Sequence, residues 1–291
     1  LHRVTEVQRT GLIVAPPLSG ARSNVPISGK WFQRPERERP TVGDWVVLDT
    51  TDGKLLEVLP RSSLLARLSP AGNRTLQLIA ANVDSAFVVT SCNADFNVPR
   101  LERYVSVVLE AGIEPVIVLT KIDQTPDPQA YQAELRSAFQ TVAICGLNAL
   151  EPAAARALEP WCGEGQTIAL LGSSGVGKST IVNTLMGGDV QRTQAIREED
   201  GKGRHTTTYR SAHLLPLGAV ILDSPGMREF QMADTDTGVA ELFDDIEALA
   251  QACRFRDCAH NAEPGCAVQA ALDDGRLDER RFASYKKLKG Q

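Results

Sequence analysis

No run of apolar residues in this chain of 291 approaches the ~18 that a membrane-crossing helix needs. Membrane-spanning classes are therefore set aside. No secretory-type leader is visible either, an absence that weighs little in a chain whose first residue is Leu1 rather than methionine. Positive charge is not in surplus: 31 Lys and Arg face 36 Asp and Glu, for a formal net charge of −5. A global electrostatic grip on nucleic acid is thus excluded, and any such contact must come from local basic patches. Cysteine is scarce, at six residues. Cys92, Cys145 and Cys162 stand alone among apolar neighbours, the pattern of reduced thiols in a cytoplasmic protein. The apolar and charged fractions, 43% and 23%, are those of a soluble globular protein with room for one large domain or two to three small ones.

What is present in strength is a glycine-rich loop in an informative context. Residues 167–171 are an apolar run typical of a buried strand, residues 179–186 have helical apolar spacing, and GSSGVGKS (172–179) lies between them. Strand, loop and helix in that order are what a phosphate-binding loop requires. Gly172, Ser173, Ser174, Gly175, Val176 and Gly177 are expected to wrap phosphates with backbone N–H groups, Lys178 to reach the β- and γ-phosphates, and Ser179 to ligate Mg2+. Thr180 completes the set at the head of the helix.

Upstream, residues 1–68 carry short β-like runs at 9–14, 45–48 and 54–59, separated by Pro, Gly and Asp turns. A small antiparallel barrel, of the OB type, is the expected solution. Residues 18–40 interleave Arg22, Lys30, Arg34, Arg37 and Arg39 with Trp31 and Phe32, which fits either an RNA-contacting loop or aromatics folded back on the barrel. Residues 69–73 (SPAGN) look like a linker. Beyond them strands and helices alternate, and the strand at 115–119 runs into Thr120-Lys121-Ile122-Asp123. A carboxylate just past a parallel strand can accept two hydrogen bonds from guanine, which adenine cannot donate, so Asp123 is the candidate for guanine selectivity. Cys145-Gly146-Leu147 is a candidate backbone contact to the base.

Residues 187–208 are charged and glycine-rich and end in GRHTTT (203–208), where one of Thr206, Thr207 and Thr208, with Thr207 favoured, is expected to ligate Mg2+ and sense the γ-phosphate. DSPG (223–226) then offers Asp223 for Mg2+ through water and the Gly226 N–H for the γ-phosphate. The base-reading motif therefore precedes the phosphate loop, the reverse of an ordinary small GTPase, which predicts a circularly permuted GTPase domain. At the C-terminal side, Cys253, Cys258, His260 and Cys266 have the residue types and close spacing of a structural Zn2+ site. The final stretch, expected to be helical, carries Arg280, Arg281, Lys286, Lys287 and Lys289 as a candidate RNA-facing patch.

These motifs together, AANVD (80–84), TKID (120–123), GSSGVGKS (172–179), GRHTTT (203–208), DSPGMREF (223–230) and FRDCAHNAEPGCAV (255–268), resemble the RsgA (YjeQ) family of ribosome-biogenesis GTPases. The fold expected is multidomain: an OB-fold β-barrel over 1–70, a circularly permuted α/β phosphate-loop GTPase domain over 75–232, and a mainly helical zinc-binding domain over 233–291. The resemblance implies GTP/GDP, Mg2+ and one structural Zn2+ as ligands. It also implies action late in small-subunit maturation, with hydrolysis stimulated by that subunit and rRNA contacted by the two flanking domains. A cytoplasmic monomer with slow intrinsic turnover is expected. The chain departs from the common GTPase pattern in having Thr120 where Asn is usual, and Met227 where Ras-like enzymes place a water-orienting glutamine. His205 is then the candidate to orient water, the competing role being an rRNA contact that couples binding to loop order. A different class, a metal-delivery GTPase handing on the zinc of the Cys/His cluster, is the alternative.

Overall fold

The computed structural model describes residues 1–8, 10–17, 21–68, 76–188, 211–223, 236–261 and 263–290, and of Ser211, Asp223 and Asp236 the backbone alone. His205, Thr206, Thr207, Thr208 and Gly226 lie outside these residues, as does the side chain of Asp223.

The short β-prone runs at the start form β1 (His2–Val7), β2 (Gly11–Ala15) and β3 (Ser23–Pro26), then, past a turn of helix α1 (Gly29–Phe32), β4 (Trp45–Leu48) and β5 (Leu55–Val58). They are antiparallel in the spatial order β3-β2-β1-β4-β5. Their apolar side chains converge on a core of Val4, Leu12, Val14, Val25, Trp31, Val46 and Leu55. Among the described residues no β3–β5 pairing closes the ring. Trp31 thus folds back on the strands, at 5% exposed, with the Arg34 guanidinium stacked 4.3 Å from its ring centre, whereas Phe32 stays exposed.

Residues 69–73, expected to be a linker, lie outside the described residues, and the strands on either side of them pair. β6 (Leu64–Leu68) and β7 (Leu76–Ala81) form an antiparallel hairpin, with Leu64 opposite Ala81 and Leu68 opposite Leu76. Pro, Gly and Asn mark a hairpin connection as readily as a linker, and only the partner strand distinguishes them.

The chain then alternates: β8 (Ser85–Ser91), α2 (Val98–Glu110), β9 (Glu114–Thr120), α3 (Pro128–Ala138), β10 (Ala143–Gly146), α4 (Pro152–Leu158), β11 (Thr167–Leu171), α5 (Lys178–Met186), β12 (Ser211–Leu214) and β13 (Val220–Asp223). Side-chain caps start two of these helices, Asn97 accepting from the Arg100 N–H and Asp127 from the Ala130 N–H. The sheet order is β10-β9-β8-β11-β13-β12, parallel except for β12, and every residue of the central β8 is buried, as covered faces on both sides require. From β8 the chain winds to β9 and β10 on one side, from β11 to β13 on the other. The carboxyl ends of β8 and β11 therefore flank a topological switch point, the place where such sheets leave a crevice for ligands. β1 pairs with β12 through Glu6 and Ser211, so the N-terminal strands continue the same sheet.

Four helices follow: α6 (Asp236–Leu242), α7 (Asp244–Gln251), α8 (Ala267–Asp273) and α9 (Glu279–Lys289). α6 and α9 pack onto α2, α7 against α6 and α8 against α7, with Val239, Leu242, Phe243, Ile246, Phe282 and Tyr285 joining the core that holds Leu101, Val105 and Val108.

Candidate functional site

The glycine-rich loop sits at the switch point, between β11 and α5, and its backbone is held where side chains could not follow. Gly172 has φ +137°, and a Cβ there would lie 2.3 Å from the Val89 carbonyl oxygen at the end of β8. Gly177 caps α5 in the left-handed region and has no side chain to occupy the first-turn N–H groups. Those amides face the crevice unblocked by a capping side chain, the arrangement that receives anions at helix N-termini. The Lys178 ammonium folds over the loop and donates to the carbonyls of Gly172 (2.8 Å) and Ser173 (2.5 Å). Ser179 and Thr180 continue the first turn of α5, half-buried, beside Lys178, while Ser174 and Gly175 are exposed at the loop's tip.

The structure brings the second motif against this loop. Thr120, fully buried at the end of β9, lies 2.6 Å through Oγ1 from the Val176 carbonyl and 3.0 Å from that of Thr90. One hydroxyl proton serves both, and the shorter contact ties the Thr120–Asp123 segment to the glycine-rich loop. Lys121 then turns with φ 57°, a left-handed conformation uncommon outside glycine, and starts the short helical turn Ile122–Gln124, in which Asp123 is exposed. Burial pushes the Cys92 thiol up and the Asp123 carboxylate adds to it, which places that charge beside the end of β8. Cys145 and Gly146 close the neighbouring β10, and Leu147 donates its N–H to Leu119 O (2.9 Å), bringing this segment to the same end of the sheet. β13 delivers Asp223 to that end as well, on the far side of β11.

A third set of residues converges in the C-terminal helices. One ligand atom from each of Cys253, Cys258, His260 and Cys266 lies within 4.8 Å of all the others. Cys253 Sγ is 3.8 Å from Cys266 Sγ, and His260 Nδ1 is 3.6 and 3.5 Å from these sulfurs. Bonds of about 2.3 Å to sulfur and about 2.0–2.1 Å to nitrogen in a tetrahedron give edges of about 3.8 and about 3.5 Å, so the donor set fits Zn2+, whereas the sulfurs are too far apart for a disulfide. Burial pushes the Cys253 thiol up, but hydrogen bonds from the N–H groups of Ala267 and Val268 at the start of α8 and from Cys266 and Cys258 together hold it below its ordinary value. Cys258 is pushed up to about 11, by burial and by its sulfur neighbours. Burial, and after it Lys289, lowers His260 and favours the neutral imidazole that binds metal.

Two residues that support this cluster escaped the sequence reading. His260 has φ 56°, and the Glu263 carboxylate accepts the N–H groups on either side of it, from Ala259 (3.0 Å) and Asn261 (2.8 Å). Gln269 donates to His260 O at 2.6 Å. Of the expected basic patch, Lys286, Lys287 and Lys289 are exposed, whereas one member is not on the surface. Arg281 is buried, bidentate to Asp245 (2.9 and 2.7 Å) and bonded to Ala138 O (2.8 Å) and Leu242 O (2.9 Å), so it staples α9 to α7 and to the end of α3. Arg280 pairs with Glu102 and Lys289 with Glu247. Exposed as well is the tip Arg254-Phe255-Arg256 between two of the cysteines, with the Arg254 guanidinium 5.4 Å from the Phe255 ring centre.

A family model described as RsgA GTPase matches residues 58–233. The Vibrio vulnificus protein named small ribosomal subunit biogenesis GTPase RsgA 2 is 52% identical over 248 residues, which span 85% of this chain and 71% of that protein. The RsgA of Xanthomonas axonopodis pv. citri is 45% identical over 295 residues, spanning 99% and 79%. Of solved structures, YjeQ from Thermotoga maritima superposes with a TM-score of 0.71 at 22% identity, covering 99% of this chain and 96% of that one. YloQ, described as a circularly permuted GTPase, gives 0.66 at 21% identity, covering 99% and 93%. At such identities the likeness speaks for the fold, and it agrees with the order of motifs along the sheet. With a family model over more than half of its length and relatives this similar across it, the chain belongs to the RsgA GTPase family.

Proposed function

We propose that this chain hydrolyses GTP to GDP and phosphate in the maturation of the small ribosomal subunit. The observation that carries the site assignment is the Thr120–Val176 contact, which locks a guanine-reading segment and a phosphate loop into one crevice. Asp123 selects guanine, with the Cys145–Leu147 segment alongside, and the loop amides and Lys178 neutralise charge developing on the phosphoryl group. Ser179, Thr207 and Asp223 are the residues that would hold Mg2+, which supplies further positive charge at the β- and γ-phosphates. The Gly226 N–H meets the γ-phosphate, and His205 orients water in place of the missing glutamine. A water-orienting group on a segment that needs ordering makes intrinsic turnover slow, and the bound subunit accelerates it.

Cys253, Cys258, His260 and Cys266 would hold Zn2+ as a structural ion, since four protein ligands leave no open position. That closure speaks against metal delivery, and the relatives' names point to subunit biogenesis instead. The strand order β3-β2-β1-β4-β5 supports an OB-type N-terminal unit. Exposed Phe32 there, and the Arg254-Phe255-Arg256 tip at the other end, are suited to stack on and neutralise single-stranded rRNA. The protein works as a monomer in the cytoplasm, a placement consistent with the lack of any described helix long and apolar enough to cross a membrane.

The test is steady-state hydrolysis of GTP and ATP with no ribosomal particle, with small subunits, and with large subunits. GTP turnover raised by small subunits alone is expected. Equal stimulation by large subunits, or equal use of ATP, would refute the reading.

A further inference from the structure

Residues 145–149 run past the end of β10 and lie between two helices. Leu147 and Ala149 are buried in one apolar cluster with Ile181 and Leu185 of α5. Thr184, on the same helix, donates its hydroxyl to Ala149 O at 2.6 Å. One element therefore presents the crevice-facing amides at its start and grips residue 149 near its end. On the other side stands α3. Its Leu135 and Ala138 are buried, and its Tyr131 ring meets Phe96 edge-on with ring centres 4.9 Å apart. The next residue, Gln132, is half-buried and lies over Gly146: a Cβ on that glycine would fall 2.6 Å from Gln132 Nε2 and 3.8 Å from Ile122 Cγ2. Gly146 has no positive φ, so the backbone itself does not demand a glycine there. The missing side chain is instead what leaves room for the Gln132 amide beside Ile122, the neighbour of Asp123.

We infer that Gln132 and Thr184 are positioning residues for guanine, clamping residues 145–149 from α3 and α5 and so fixing the base-side segment relative to Asp123. Neither side chain need touch the base. Hydrogen bonds weaken steeply with misalignment, so the gain from both guanine donors at Asp123 depends on how firmly the opposing segment holds the base. The inference rests on the reading of residues 120–123 and 145–147 as the guanine site.

The experiment measures binding of GDP and of inosine diphosphate to the full chain, by competition with a fluorescent GDP analogue. Hypoxanthine lacks the 2-amino group of guanine. The ratio of the two affinities thus reports how well Asp123 meets that group, whereas a general loss of stability weakens both nucleotides alike. Thr184→Val and Gln132→Ala are each expected to lower the ratio roughly 3- to 10-fold, the scale of one weakened hydrogen bond. Thr184→Ser, which keeps the donor, should retain it. Gly146→Ala should reproduce Gln132→Ala, because its methyl group pushes the flexible amide aside, and should do no further harm once residue 132 is alanine. Thermal stability is followed in parallel, and Thr184→Ala takes the place of Thr184→Val should the latter fail to fold. An unchanged ratio in the Thr184 variant or in Gln132→Ala overturns the clamp and leaves the nucleotide site standing. Equal affinity of the unmodified protein for the two nucleotides overturns the guanine reading and the clamp with it.

Discussion

At the scale of single residues, Thr120 shows how a substitution in a familiar motif is compensated by position. A threonine has no amide to offer the base, yet its hydroxyl reaches across to the phosphate loop from a fully buried place. That contact holds the two segments in register, and under the proposed function Asp123 is left to read the guanine. Thr120→Val keeps the shape and removes the donor, leaving the Val176 carbonyl without it. A buried acceptor stripped of its partner costs about 1–3 kcal/mol. The variant is expected to lose that much stability in denaturant unfolding and to bind GDP several-fold more weakly, while its preference for GDP over ADP is retained. Titration with both nucleotides checks this, and a collapse of the preference would mean that Thr120 contacts the base itself. The glycines, Lys178 and the TKID carboxylate were legible in the sequence because the chemistry demands those residue types at those spacings. The Thr120 bridge was not, because it depends on β9 and the loop after β11 meeting across β8, which no local pattern records.

At the scale of elements, the helices of the C-terminal part are held by polar contacts as much as by their apolar faces. Two measurements separate these contributions. A metal ion on the Cys/His cluster would tie α8 and the chain before it to one point, so its chelation would remove a cross-link among residues 253, 258, 260 and 266. One Zn2+ per chain by elemental analysis is expected, with loss of several kcal/mol of stability on its removal and melting of the C-terminal helices before the parallel sheet. The buried Glu102 between α2 and α9 behaves differently. Burial raises its carboxyl above the ordinary 4.5, against the opposing pulls of Ser284, Arg280 and Arg281, and its Oε2 has no hydrogen-bond partner. A raised folded-state pKa stabilises below the unfolded value and loses that stability as pH rises through the folded value. Glu102→Gln, a mimic of the protonated form, is therefore expected to be more stable than the unmodified chain at pH 7, by about 1.4 kcal/mol per unit of the rise. The gap should close as pH falls through 4.5, and a gap independent of pH would assign the effect to packing instead. Elements with strong local signals, such as the strands at 115–119 and 167–171, were readable in advance. α3 was not, since Leu135 and Ala138 are its only buried residues and its Asp127-Pro128 start resembles a turn. The buried Arg281 read as a surface charge for the same reason: a sequence displays the charge, and the surrounding Asp245, Ala138 and Leu242 appear only in three dimensions.

At the scale of the whole molecule, the N-terminal strands are joined to the nucleotide sheet by more than chain connectivity. β1 continues that sheet through β12, the Arg22 guanidinium donates to Ala212 O at 3.2 Å, and Arg3 occupies the junction itself. The Arg3 guanidinium lies 5.2 Å from the centre of the Trp45 ring and donates to Thr167 Oγ1 at 2.7 Å, Asn82 O at 3.3 Å and Gly43 O at 3.4 Å. One side chain thus spans β4, the end of the hairpin after β7, and the first residue of β11, the strand that leads into the phosphate loop. Burial depresses Arg3, and the carboxylates of Asp84 and Asp44 oppose that, so the charge is retained where a neutral group would take a donor from Thr167 Oγ1 and Asn82 O, Gly43 O keeping the Asn82 Nδ2 donor at 3.1 Å. Arg3→Met preserves much of the volume and removes every donor. Removing the donor from such a half-buried polar network costs about 1–3 kcal/mol. Because the loss falls on the junction rather than within either core, the expected outcome is a change in cooperativity as well as in stability. In a Trp161→Phe background, where the signal reports on Trp31 and Trp45, the chain with Arg3 intact should lose its tryptophan near-ultraviolet dichroism together with its bound GDP in one thermal transition. In Arg3→Met the tryptophan signal should disappear first, with nucleotide still held at that temperature. Coincident transitions in the variant would show that the shared β1–β12 pairing alone couples the two parts, and that Arg3 contributes stability without transmitting it.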